Sequence, residues 1–228
     1  MPKIKASFVI PVYNGQAFLA QTLESCLKQT VKNIEVVVVD DGSTDRTRRI
    51  IEYYAAKDER VKPVFLAQNM GRSLARNEGI KTAQGDVIIV SDADDISSVD
   101  RVAQTLNYMK KNPTVDIVYG QFNVIDPVGR FQEGYDVMPF DFERVKTDKL
   151  TYICHSTMAF KKAVFEKVQY TDGDPSRLCI DDWVFQVSAH KAGFRFGAIP
   201  KLLAAYRFIP KERDEKRIME IKDACLAS

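Results

Sequence analysis

The first ninety residues alternate short apolar runs with longer amphipathic stretches, and no other feature constrains the fold as strongly. The runs "SFVIPV", "IEVVVV", "VKPVFL" and "DVIIVS" are rich in β-branched residues, and segments such as "GQAFLAQTLESCLKQ" and "STDRTRRIIEYYAAK" separate them. Alternation of this kind predicts βαβ units and a parallel sheet buried on both faces. Ligands of such sheets bind at the carboxyl ends of the strands. The unusual residues fall there: "PVYNG" ends the first run, "DDGSTD" the second, "NMGRSLARN" the third and "SDADD" the fourth. With 228 residues, 45% of them hydrophobic, the chain can bury the core of one sizeable α/β domain.

The second half has a different texture. In "TVDIVYGQFNVIDPVGRFQEG" two extended runs flank the turn signal Asp126-Pro127-Val128-Gly129, which predicts a hairpin or a mixed sheet edge. An ambiguous stretch to about Leu150 follows. Then come a strand-like "STMAF", a helix-like "DDWVFQVSAHKAG", two short strands in "FRFGAIPKLLAAYRF" and a charged, helix-compatible tail from Lys211. No Gly-, Pro- or Ser-rich linker divides the halves, so residues 1–228 read as one domain: a first lobe to about 115, a second over about 116–210, and the tail 211–228.

Global properties exclude several function classes. Lys and Arg number 33 against 31 Asp and Glu, which gives no general reason to expect nucleic acid as a partner. The four cysteines, Cys26, Cys154, Cys179 and Cys225, are scattered and form neither a metal knuckle nor a dense disulfide framework. Pro11 interrupts the N-terminal apolar run, and nothing approaches the ~18 consecutive apolar residues of a membrane span. A cytoplasmic protein is expected, with any membrane contact peripheral, at the inner face.

The acidic clusters carry the chemistry. Asp92, Asp94 and Asp95 follow a buried run, where repulsion and desolvation disfavour bunched carboxylates unless they are solvated or face a cation. There is no G-x-G-x-x-G after the first strand and no Walker-type phosphate loop. A divalent cation, Mg²⁺ or Mn²⁺, held by carboxylates and clamping a diphosphate is another route to nucleotide binding, and "SDADD" suits it. Its plain alternative is a solvated helix start, with Asp95 or Ser97 as cap. In "DDGSTD" a strand-to-helix turn accounts for Gly42 and for Ser43 or Thr44 as cap. It does not account for the doubled Asp40-Asp41, which can accept from a base N–H or a ribose hydroxyl. Asp181-Asp182 opens a helix, either as cap and dipole partner or with one residue as a general base. His155 and His190 are lone histidines and read as structural or surface residues.

The blocks "VIPVYNGQAFLAQTLESCLKQT", "IEVVVVDDGSTDRT", "NMGRSLARNEGIKTAQGDVIIVSDADD" and "IDDWVFQVSAHKAG", in that order, resemble the family 2 glycosyltransferases, inverting enzymes of the GT-A fold. The resemblance implies a Rossmann-like nucleotide-binding sheet with a mixed-sheet acceptor lobe, a nucleoside-diphosphate sugar donor, a divalent metal and transfer to a hydroxyl. It places Pro11 and Tyr13 at the base-binding end of the first strand, makes Asp41 the acid that recognises the base, and puts Arg76 near the donor. It also reads Asp92-Ala93-Asp94 as the D-x-D, with Asp94 on the metal and Asp92 on the ribose or a metal-bound water. Asp182 falls at the catalytic base, the second residue of a pair usually written Glu-Asp, while Asp181 stands where Glu is usual. The late Tyr206-Arg207 lacks the histidine that often follows it in the family. The acceptor class implied is a cell-envelope polysaccharide or lipid-linked glycan. A non-catalytic sugar-nucleotide binding module and a nucleotidyltransferase are the rival readings.

Overall fold

Strand register brings the ends of the four apolar runs to one edge. The structure, a computed structural model, describes residues 4–149, 153–171, 180–210 and 215–227; Cys179 and residues 211–214 of the tail lie outside them. The runs form β1 (Ala6–Val12), β2 (Ile34–Asp40), β3 (Val61–Phe65) and β4 (Val87–Val90). All pair in parallel, with Val12 opposite Asp40, Asp40 opposite Phe65 and Val9 opposite Val90. Tyr13, Asp41, Leu66 and Ser91 therefore leave the sheet side by side.

Side chains alternate along a strand, so each strand feeds two cores. Phe8, Ile10, Val36 and Val38 pack under α1 (Leu19–Leu27), α2 (Thr47–Lys57) and α4 (Arg101–Lys111). Val9, Val37 and Val39 face α3 (Arg72–Thr82) on the other side. This double burial is why β1 and β2 read as unbroken apolar runs. Gly79 lets α3 approach closely, since a Cβ there would stand 2.6 Å from Val9 Cγ1 and 2.9 Å from Val39 Cγ2.

The second half extends the same sheet with mixed polarity. β8 (Ala159–Lys161) runs antiparallel to β4 and to β6 (Ile117–Ile125), and β6 runs parallel to β9 (Phe196–Arg207). β9 in turn pairs antiparallel with β5 (Ile96–Ser97), giving the order β3-β2-β1-β4-β8-β6-β9-β5, and β7 (Phe131–Tyr135) forms the expected hairpin with β6. The two short strands expected after Phe194 are one long strand. Between Ile199 and Ala204, β9 slips its register twice against Gly120, Gln121 and Phe122 and then resumes its ladder; Pro200, without an N–H to donate, makes the sequence there look like a break.

Helix α5 (Phe142–Asp148) occupies the ambiguous stretch. With α6 (Asp181–Lys191) and α7 (Glu215–Ala227) it closes a small third core around Trp183, Val187 and Ile218. α6 is buried on its other side too, where Phe185 stacks on Tyr170 at 4.2 Å between ring centroids. Among the described residues no helix is long and apolar enough to cross a membrane.

Candidate active site

The loops at the carboxyl edge are laced to one another before any ligand is considered. Asn14, at φ 51°, folds the loop after β1 onto the loop after β2. Its N–H donates to Ser43 Oγ at 2.9 Å, and its Oδ1 accepts from the Thr44 N–H at 2.9 Å. Ser43 and Thr44 are thereby engaged with Asn14 and do not cap α2 as the sequence suggested. Asp45 instead takes the Thr47 N–H at 2.8 Å. Gly42 sits at φ +71°, where a Cβ would meet the backbone of Gln68 at 2.7 Å, so this turn requires glycine.

Asp40 accepts the Ser43 N–H at 3.0 Å. Asp41 is buried, and its two oxygens accept the Met70 N–H at 2.7 Å and the Gly71 N–H at 2.9 Å. It thus ties the loop after β3 to the end of β2. Pro11 is buried within β1, while Tyr13, just beyond the strand, is 49% exposed.

Arg76 joins the two acidic clusters. It is fully buried on α3, donating through one terminal nitrogen to Asp92 at 2.8 Å and through the other to Asp181. Arg72, one turn earlier, also pairs with Asp181. Asp181 is therefore the centre of a buried ion-pair cluster and not the helix cap that its position suggested; α6 starts without a side-chain cap bond.

These contacts drive neighbouring carboxyls in opposite directions. Burial would raise Asp181, but Arg76 and Arg72 outweigh it and hold the group well below the ordinary carboxylate range. Asp182, partly exposed, is pushed up to about 6 by burial and by the fixed anion at Asp181. Burial also opposes the charge on Asp92, and Arg76 keeps it ionised below its ordinary value. Two adjacent titratable groups separated in this way are the arrangement that divides a structural anion from a proton acceptor.

A profile described as "Glycosyl transferase family 2" matches residues 7–169. The chain belongs to this glycosyltransferase family. Its relatives include a putative teichuronic acid biosynthesis glycosyltransferase, TuaG, of Bacillus subtilis, 37% identical over 206 residues, covering 89% of this chain and 79% of that one. An uncharacterised glycosyltransferase of Haemophilus influenzae is 42% identical over 129 residues, which span 57% of this chain and 50% of that protein. Among solved structures, Staphylococcus aureus TarS 1-349 in complex with UDP-GlcNAc superposes with a TM-score of 0.75 at 21% identity, over 98% of this chain and 67% of that one. GalNAc-T7 with UDP, GalNAc and Mn²⁺ gives 0.73 at 17%, over 97% and 48%. These neighbours share the GT-A fold.

In this family 2 chain the D-x-D loop is pinned from three sides. Thr22 Oγ1 donates to the carbonyls of Ala93 and Asp95 at 2.9 and 2.8 Å. Asp95 accepts the Ser156 hydroxyl and the Arg207 N–H, the latter at 2.7 Å. It is thus no cap for α4, and Ser97 lies in β5. Burial, with the charges of Asp92 and Asp94 beside it, pushes the Asp95 carboxyl well above its ordinary value. The Arg207 guanidinium donates to the Asp94 carbonyl at 2.8 Å, to the Asp126 and Pro127 carbonyls at 3.1 and 3.0 Å, and to Gln21 Oε1 at 2.9 Å. The sequence reading gave Arg207 no role of its own; its only signal was the Tyr206-Arg207 dipeptide.

His155, set aside as structural, is buried beside the site with Nε2 3.0 Å from the Tyr170 hydroxyl. Burial and Arg76 push it down to about 3, so the imidazole is neutral at physiological pH.

Asp95 is committed to Ser156 and Arg207, so a cation at this loop would meet Asp94 and Asp92, the latter already held by Arg76. Among the described residues no group of three or more His, Cys, Asp or Glu could enclose a metal. Mg²⁺ and Mn²⁺ often take only one or two protein carboxylates and complete their shell with phosphate and water. The donor set fits a cation shared with a diphosphate rather than one caged by protein.

Proposed function

We propose that the chain is an inverting glycosyltransferase that moves a hexosyl group from a UDP- or dTDP-linked donor to a hydroxyl of a cell-surface polysaccharide or glycolipid, at the inner face of the membrane. The fixing of Asp181 by Arg76 and Arg72 beside a partly exposed Asp182 is the observation that carries it. A general base works best with a pKa near the operating pH, and Asp182 is brought there by burial and by the anion at Asp181, which Arg76 and Arg72 hold in place.

In this reading the Asp182 carboxylate takes the acceptor's hydroxyl proton. The acceptor oxygen forms a bond to the anomeric carbon from the face opposite the diphosphate. The bond between that carbon and the diphosphate oxygen breaks, and the nucleoside diphosphate leaves with the electron pair. One displacement inverts the anomeric centre. Tyr13 and Asp41 hold the base, Pro11 sets the end of the strand that presents Tyr13, and Asp92 meets the ribose or a metal-bound water. Arg76 orders Asp92 and Asp181 on the donor side. A divalent cation on Asp94 would neutralise charge developing on the diphosphate.

The names of the relatives support the acceptor class, since TuaG is named for teichuronic acid biosynthesis. The donor class is supported by the UDP-GlcNAc of the TarS structure, and the metal by the Mn²⁺ of GalNAc-T7. A screen of nucleotide sugars by thermal shift with and without Mn²⁺ tests the proposal, because a ligand that binds only the native state raises its melting temperature. Stabilisation by a UDP- or dTDP-sugar, followed by release of the nucleoside diphosphate and an inverted product, is expected. Release of inorganic diphosphate would identify nucleotidyl transfer instead, and donor binding with no transfer would identify a binding module.

A further inference from the structure

The sheet's second half carries aromatic rings outside the three cores: Phe122 and Tyr206 are partly buried and Tyr135 is exposed. Over the regular part of the ladder Phe122 lies opposite both Ala204 and Tyr135, and Val124 opposite both Tyr206 and Glu133. Phe122, Val124, Tyr135 and Tyr206 therefore share one face, while the buried Ile125 and Arg207 belong to the other. The rings of Phe122 and Tyr135 stack at 4.9 Å with 5° between their planes. Every residue of β7 is exposed, and Tyr135 is 43% exposed. None of the four belongs to the three apolar clusters that hold the fold.

The strip runs into the reactive centre. Tyr206 is followed directly by Arg207, whose backbone N–H donates to Asp95 at 2.7 Å, so the strand that carries the strip ends at the acidic loop. The hairpin turn and that loop also share a single anchor, because Arg207 binds the carbonyls of Asp126, Pro127 and Asp94. An aromatic face is electron-rich, and one side of a pyranose ring presents a patch of weakly positive C–H groups that stacks on it. Polar acceptors border the rings: Asp136 takes the Gln121 amide at 2.8 Å, and Glu133 takes the Tyr135 hydroxyl. Such carboxylates suit a hydroxyl-rich partner and oppose an anionic lipid surface.

We propose that the Phe122, Tyr135 and Tyr206 strip binds the ring faces of acceptor sugars next to the one that receives the transferred group, a reading that rests on the transfer reaction above. The test is calorimetry of the full chain with cellohexaose, chitohexaose and their disaccharides as probes and UDP with Mn²⁺ as a control. At least one hexasaccharide should bind more tightly than its disaccharide. Tyr135→Ala and Phe122→Ala should each weaken it roughly tenfold, the scale of one aromatic contact. Tyr135→Phe should retain affinity, and UDP binding should be unchanged in all three. The proposal is overturned if neither hexasaccharide binds a protein that binds UDP, or if both alanine variants bind as the wild type does. It is overturned equally if Tyr135→Ala splits a dimer in sedimentation or abolishes binding to phosphatidylglycerol vesicles, outcomes that give the strip to a second copy or to lipid. Absence of UDP binding in the wild type would remove the transfer reading together with this one.

Discussion

Arg76 and Asp181 form an ion pair in which both side chains are sealed from solvent, at 0% and 1% exposure. The other end of the same guanidinium holds Asp92, so one cation from α3 sets the position of both acidic clusters. Deleting one partner of a buried pair leaves an uncompensated charge, which costs about 3–5 kcal/mol. Arg76→Met should lose stability on that scale at pH 7. Arg76→Lys should recover only part of it, because an ammonium lacks the planar fork that serves two carboxylates. Urea denaturation checks both; an unchanged midpoint in Arg76→Met would show that the pair contributes nothing.

Asp181 and Asp182 give the stability curve slopes of opposite sign. Asp181 is depressed in the folded state, so its contribution is present above the unfolded value of about 3.9 and is lost as pH falls through the folded one. Asp182 is raised to about 6, so its contribution is lost as pH rises from about 4 to about 6. Asp182→Asn should abolish the second slope and stabilise the protein at pH 7 by on the order of 1–3 kcal/mol, with little gain at pH 4. Urea titrations across that window decide it, and parallel curves for variant and wild type would refute the shift.

The same substitution should cut turnover by on the order of 10² or more while leaving UDP affinity intact, the scale of lost general-base catalysis. Wild-type turnover should rise with pH through an apparent pKa near 6, as Asp182 loses its proton. Asp181→Asn should lose stability first. A normal rate for Asp182→Asn beside a dead Asp181→Asn would move the base one residue upstream.

Asp94→Ala should abolish Mn²⁺-dependent binding of UDP and keep the fold, because the loop is held through its backbone by Thr22 and Arg207 and not through this carboxylate alone. Calorimetry with and without Mn²⁺ reads the difference. Equal metal-dependent affinity in the variant would take the cation away from Asp94.

Base choice should follow Asp41. A carboxylate accepts from the imide N–H of uracil or thymine and repels the ring acceptor that cytosine presents there. UDP and dTDP are expected to bind roughly tenfold more tightly than CDP, and Asp41→Asn should erase the preference while loosening the Met70 and Gly71 contacts. Equal affinities for the three nucleotides in the wild type would remove the role.

Strands β1 to β4 were legible because both their faces are buried, which leaves an unbroken apolar signature in "IEVVVV". The hairpin turn at Asp126 to Gly129 and the helix from Asp181 were legible from turn chemistry and from spacing. The single strand β9 was not, because Pro200 mimics a break that pairing with β6 bridges over. The capping alternatives at Ser43, Thr44, Asp95 and Asp181 fail for one common reason: each side chain has a partner distant in sequence, and local rules know only the nearest N–H. The ion pairs that set Asp181 apart from Asp182 come from Arg72 and Arg76, more than a hundred residues upstream.

Arg207 reaches back 113 residues to the carbonyl of Asp94, and this fixes an order of events during synthesis. Translation delivers roughly 5–20 residues per second, so β1 to β4 emerge and can pair seconds before Arg207 leaves the ribosome. Until then the acidic loop lacks its clamp and the open edge of β4 lacks β8, which arrives only at Ala159. A nascent chain in this interval holds the first half of the sheet without a fixed D-x-D loop. Closure of the acidic loop waits for a strand made more than a hundred residues after the loop itself, and a nascent chain stalled before Arg207 holds that loop without its clamp.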